Sequence, residues 1–232
     1  MRGIGLGWLW LVLGITGLLF VFAATLGDAE RPKEAPHTSS GDACLDKVCA
    51  GDSEPDPAPG SVALKLDGKW YVGPRTYFSD NNEAVFYWPG KEPGFTNQTP
   101  EPVRHGAFFD YAIQIYLNHD RDPTTSMYRR LRALEADGRV LSKSDLPGGV
   151  RLWTTKDSGL ERTWYELTDQ VAPDGEPPVI ACQGTRGASA CTGGFRWRPG
   201  VVAAFRFPYA FGPQWPQIYP EAIRVLSLLK AV

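Results

Sequence analysis

Histidine, methionine and cysteine are scarce in this chain, at three, two and four residues of 232. Charge is scarcest at the start, where Arg2 is the one ionisable side chain among the first 27 residues. Catalytic signatures are missing as well. No Gly-x-Ser-x-Gly elbow, His-Glu-x-x-His pair, phosphate-binding loop or dinucleotide fingerprint occurs, which leaves the familiar hydrolase, zinc-protease and nucleotide-enzyme chemistries without a motif. An excess of base is lacking too. The 24 Lys and Arg residues are balanced by 26 Asp and Glu residues, and a clustered basic footprint of the kind that nucleic-acid binders carry is absent. No acid run has the ligand spacing of a calcium loop. These absences argue against nucleic acid, a resident metal and a cofactor.

What stands at the start is an apolar run from Ile4 to Leu26 that includes Trp8, Trp10, Phe20 and Phe22. A hydrocarbon core of about 30 Å needs roughly 20 apolar residues in a helix, so residues 4–26 are long enough to cross a bilayer. A cleaved secretory signal is the alternative, with Val21-Phe22-Ala23 as its small-x-small site and cleavage after Ala23. A buried core helix is a third reading. The single positive charge ahead of the run, with no second run behind it, predicts that everything after Asp28 is exported. The expected location is the cytoplasmic (inner) membrane with the domain on the periplasmic side, or the periplasm itself if the run is cleaved.

Residues 28–60 hold five prolines, eight acids and three bases, with almost no large apolar side chains. Such a segment cannot bury enough surface to offset its ordering entropy, and it reads as a flexible acidic tether. Residues 61–232 carry 20 bases and 18 acids and are long enough for one domain with a proper core. Eight Trp, nine Tyr and eleven Phe supply that core.

The four cysteines form two close pairs, Cys44 with Cys49 and Cys182 with Cys191. In an exported chain an even count reads as disulfides. Neighbour pairing is the economical choice among the three connectivities that four cysteines allow. A four-thiolate zinc site competes, but its paired ligands are usually two to four residues apart, and the Cys182–Cys191 gap is wider.

The patterning of residues 61–232 predicts an α+β domain with a mainly antiparallel sheet and two helices. An Asp67-Gly68 turn joins a hairpin over Leu64–Val72. Strands are expected at Glu83–Trp88, Phe108–Leu117, Val150–Thr155, Thr163–Leu167 and Val179–Gln183. A second hairpin crosses Pro199-Gly200 between Phe195–Arg198 and Val201–Phe207. One helix is expected over about 123–137, capped by Asp122 and ended by Asp137-Gly138, and another over about 215–230. The candidate catalytic pairs are His119–Asp120 and Glu83–Glu166, where acids lie beside histidine or aromatics. Spacing alone supports neither, and the chain is expected to be no enzyme. A surface that works by contact is expected instead, at Arg196, Trp197 and Arg198, with Arg206 beside them, because arginines and aromatics carry contact energy.

The segment Val179–Leu229 also resembles bacterial envelope immunity proteins, which neutralise toxic effectors delivered between cells by contact-dependent secretion. The likeness rests on a cysteine strand, the strand Phe205-Arg206-Phe207, and Gln214-Trp215-x-x-Ile218 opening an amphipathic helix with Ile223, Leu226 and Leu229. It implies a periplasm-facing protein whose partner is a secreted toxin, blocked by plugging its active site. It supplies no catalytic residues. An envelope assembly factor and an envelope hydrolase are the other roles that an exported domain of this kind could fill.

Overall fold

The structure is a computed structural model that describes residues 53–96, 103, 106–120, 126–157, 159–184 and 189–232. The apolar run 4–26, most of the tether, and Cys44 with Cys49 lie outside the described residues. Among the described residues no helix is long and apolar enough to cross a membrane.

Two antiparallel sheets carry the fold. The smaller contains β1 (Ser61–Leu66), β2 (Lys69–Pro74) and β12 (Lys230–Ala231), in the order β1-β2-β12. Asp67 and Gly68 form its turn with φ of 49° and 74°, the doubly left-handed geometry whose twist matches the flanking strands. The larger sheet has nine strands. They are β3 (Phe78–Ser79), β4 (Glu83–Tyr87), β5 (Ala112–His119), β6 (Val140–Leu146), β7 (Val150–Asp157), β8 (Leu160–Leu167), β9 (Val179–Gln183), β10 (Ala190–Arg198) and β11 (Val201–Pro208). Their order is β3-β4-β5-β11-β10-β9-β8-β7-β6, an open sheet with two edges rather than a closed barrel.

Three α-helices accompany the sheets among the described residues: α1 (Phe108–Tyr111), α2 (Met127–Ala136) and α3 (Trp215–Leu226). The expected count of two is corrected by α1, which takes the first four residues of the predicted strand Phe108–Leu117. The reason is local packing. Phe108 and Tyr111 close a small cluster with Val85, Tyr87, Val103 and Ala112, and the strand begins only at Ala112. Helix α2 starts later than expected. Ser126 is its N-cap, accepting the Arg129 N–H at 3.0 Å, while Asp122 lies outside the described residues. Helix α3 stops at Leu226 rather than 230, because Lys230 and Ala231 leave it to pair with Val72 and Tyr71 on β2.

The inner face of the large sheet is the core. On β11 burial alternates strictly from Val201 to Phe207, the signature of a strand with one face covered. Phe205, Phe207 and Phe195 point to α3, with ring centroids 5.5 Å and 5.9 Å from Trp215 and 5.7 Å from Tyr219 respectively. Helix α3 buries Trp215, Ile218, Tyr219, Ala222, Val225 and Leu226, a stripe at helical spacing. Val62, Leu64, Leu66 and Tyr71 of the small sheet join the same core. The Cys182–Cys191 disulfide is present, directly across β9 and β10 with Cα atoms 3.9 Å apart. Gly212 lies against it, since a Cβ there would sit 3.0 and 3.2 Å from the two sulfurs.

Candidate functional site

Among the described residues, the outer face of the large sheet is covered only at its two ends. The strand registers place Val85, Gln114, Arg206, Thr192, Ala181, Trp164, Trp153 and Lys143 in one row, each directly opposite the next. At one end Val85 belongs to the cluster under α1. At the other, Ala181, Trp164 and Trp153 lie beneath Leu131 and Leu134 of α2. Arg206 and Thr192, in between, are exposed. The next row repeats the pattern with Tyr116, Ala204 and Gly194, and the one after it with Asn118, Val202 and Arg196. The result is a bare strip across β5, β11 and β10, floored mostly by small or polar residues, with Tyr116 and Val202 among them.

Each side of the strip deepens into a cavity. One of about 380 Å³ is lined by Phe109, Asp110, Gln114, Ser189, Arg206 and Pro208. Phe109 is 69% exposed and its ring meets Phe108 edge-on at 5.2 Å. The other cavity, about 190 Å³, is lined by Asp120, Met127, Asp174, Glu176, Gly194 and Arg196 among others.

Fixed charges border the strip. The Arg196 Nε donates to Asp120 at 2.5 Å, and its backbone N–H donates to Asp174 at 2.9 Å. Arg129 donates to Glu176 at 2.6 Å. Gln114 donates to Glu83 at 3.0 Å. Burial pushes the Tyr116 phenol up, the Glu83 carboxylate pushes it the same way, and Arg206 pulls it down. On the inner side, burial and then Asp174 push Tyr219 up to about 12.

The expected contact residues do not form one surface. Trp197 packs inward at 9% exposure, 5.9 Å from Tyr71. A register shift between Arg196 and Arg198 separates the two arginines. Arg198 reaches the small sheet, lying 4.9 Å from the Tyr71 ring and donating to the Leu229 carbonyl at 3.3 Å. Arg196 and Arg206 remain on the strip. Sequence reading missed Phe109, which it assigned to a strand, and Gln114, Thr192 and Tyr116. A signal for the first was present, because Phe108-Phe109-Asp110 cannot alternate in and out as a strand should.

Neither candidate catalytic pair comes together. His119 Nδ1 lies 3.7 Å from Asp67, while the Asp120 carboxylate is held by Arg196. Glu83 is on β4 and Glu166 on β8, with four strands between them. Among the described residues no group of His, Cys, Asp and Glu is arranged to hold a metal ion.

No protein-family model matches the chain, and no curated protein does. The fold is similar to a solved structure, that of an immunity protein of the Stenotrophomonas maltophilia type IV secretion system. The two share 16% sequence identity with a TM-score of 0.51, over 74% of this chain and 94% of that one. The resemblance noted in the C-terminal segment therefore extends, as a likeness of fold, over most of the described chain.

Proposed function

We propose that this chain is an immunity-type protein of the bacterial envelope, which binds a toxic effector through the bare strip of its large sheet and acts by contact rather than catalysis. The observation that carries this reading is the fold likeness, which takes in nearly the whole of a secretion-system immunity protein. The strip supplies the place. An exposed aromatic, Phe109, stands beside an exposed arginine, Arg206, at the mouth of the larger cavity, and these are residue types that anchor interfaces. The small floor at Gly194 and Ala204 leaves room for a partner to approach the sheet. In this reading residues 4–26 hold the protein at the membrane or export it, residues 28–60 are the tether, and residues 61–232 face the periplasm.

The test captures partners from envelope and secreted fractions with the disulfide-bonded full chain. It then assays the captured protein for an activity that the chain suppresses at equal stoichiometry. Phe109→Ala and Arg206→Glu are expected to weaken that partner's binding by roughly tenfold or more each, the loss typical of truncating an interface anchor. A partner whose activity is unaffected sinks the reading. Unchanged affinity in both folded variants removes the strip from it.

A further inference from the structure

A different feature of the large sheet carries a second interaction surface, independent of the proposed function. Strand β6 closes one edge of the sheet and pairs with β7 alone among the described residues. Every position from Leu141 to Leu146 is exposed, including the two large apolar residues, Leu141 at 54% and Leu146 at 41%. The opposite edge, β3, is blunted to two residues. A seven-residue edge without proline, whose one irregularity lies between Val140 and Ser142, presents a row of unpaired backbone donors and acceptors from Ser142 onward. Such a row is a template for a further strand.

We propose that a second copy of this chain supplies that strand, with the two β6 edges pairing antiparallel about a two-fold axis at Ser144. The register follows from charge. A two-fold that joins two copies of one strand antiparallel stands perpendicular to the sheet, so opposed residues share a face. Centred on Lys143, it sets lysine against lysine; centred on Asp145, it sets aspartate against aspartate. Like charges directly opposed are destabilising. Centred on Ser142, it runs into the irregularity at Val140. Centred on Ser144, it sets Lys143 against the partner's Asp145 twice, with Ser144 opposite the partner's Ser144.

Both ions already have a partner and can take another. The Lys143 ammonium donates to Glu135 at 3.2 Å and lies 4.1 Å from the Trp153 ring, and an ammonium has further N–H donors. Asp145 accepts from Arg151 on β7, and its side chain is still 70% exposed. Lys143 stands in the same cross-sheet row as Thr192 and Arg206. Edge pairing therefore joins two large sheets into one, with both bare strips on the same side.

The test is cysteine cross-linking of the full chain in mild detergent. Cβ atoms of directly opposed residues lie about 4.5–5.5 Å apart, so Ser144→Cys forms an intermolecular disulfide. Under the same axis the two copies of residue 142 are four residues apart, or about 13 Å, so Ser142→Cys stays at the level of the unsubstituted chain. Covalent dimer in roughly tenfold excess for Ser144→Cys over Ser142→Cys, read on a non-reducing gel, is the expected result. Equal cross-linking by both, or none by either, overturns the pairing. Linkage of Ser144→Cys to a different envelope protein overturns it too and assigns the edge to that protein. In the Ser144→Cys background, Asp145→Lys is expected to suppress the dimer and the added swap Lys143→Asp to restore it. An Asp145→Lys chain that cross-links undiminished refutes the register.

Discussion

Helix α2 walls one side of the bare strip, and a buried carboxylate holds it there. Glu166 on β8 is 3% exposed and accepts two hydrogen bonds, from Trp153 Nε1 at 2.8 Å and from Arg132 of α2 at 2.5 Å. Arg132 is 29% exposed, pairs also with Glu135 at 2.8 Å, and stacks 4.9 Å from the Trp153 ring and 4.8 Å from that of Tyr128. The partners are unequal, and so are the two deletions. Arg132→Ala strands a buried carboxylate with one neutral donor, a loss of about 3–5 kcal/mol. Glu166→Ala leaves only the Trp153 N–H unsatisfied, about 1–3 kcal/mol, because Arg132 reaches water and keeps Glu135. The arginine deletion is therefore expected to be the worse of the two. The double variant should fall short of the sum by about 0.5–3 kcal/mol, the coupling usual for groups in one network. Urea unfolding of the four proteins, followed by tryptophan fluorescence, measures this cycle. If Glu166→Ala equals or exceeds Arg132→Ala, or if the two losses add, the account of Glu166 as a charge that needs Arg132 is refuted.

The Cys182–Cys191 bridge closes a loop of about ten residues, and chain entropy assigns such a closure roughly 2–3 kcal/mol. Cys182→Ala/Cys191→Ala should lower the urea midpoint accordingly, and a midpoint that does not move would show the bridge to be redundant. Stability should also fall at high pH. Tyr219 is neutral when buried, with its pKa raised to about 12, so its contribution is whole below the unfolded value of about 10. It is lost between about pH 10 and 12, on the order of 2–3 kcal/mol. Tyr165 and Tyr87 are raised by burial and add in the same direction. Tyr219→Phe should shift the alkaline unfolding transition upward, and an unchanged transition contradicts the assignment.

How much of this was legible depended on whether the signal was local. The Asp67-Gly68 and Pro199-Gly200 turns, the Cys182–Cys191 pairing and the apolar stripe of α3 are set by residues near one another in sequence, and they were read correctly. Strand β6 was missed because Val-Leu-Ser-Lys-Ser-Asp-Leu has no alternation, and an edge strand exposed on both faces requires none. Strand β12 was missed because two residues cannot carry a period; only the distant Val72 and Tyr71 make them a strand. The candidate contact residues were grouped by spacing along the chain, and the sheet groups them differently. Arg196, Trp197 and Arg198 alternate on paper, but the irregularity opposite Val201 and Val202 sends the two arginines to different neighbours. Arg206 belongs with Gln114 and Thr192, residues 92 and 14 positions away, through register alone.

The bare strip follows from how the chain divides its apolar residues. The single large core takes the inner face of the sheet, with α3 and the small sheet against it. Among the described residues the outer face receives only two small clusters, under α1 and α2. A four-residue helix and a ten-residue helix cannot roof nine strands. Apart from Val202, the strands between them limit exposed apolar surface by carrying Thr192, Gly194, Ala204 and Arg206 there rather than the Val and Ile that a covered sheet would use. Phe109 departs from that economy, a large ring left in water beside the strip. Its neighbour Phe108 packs inward against Tyr87, so the helix would hold without it. In the proposed function that ring is an anchor for the partner, and the cavity it shares with Arg206 is where that reading seats it.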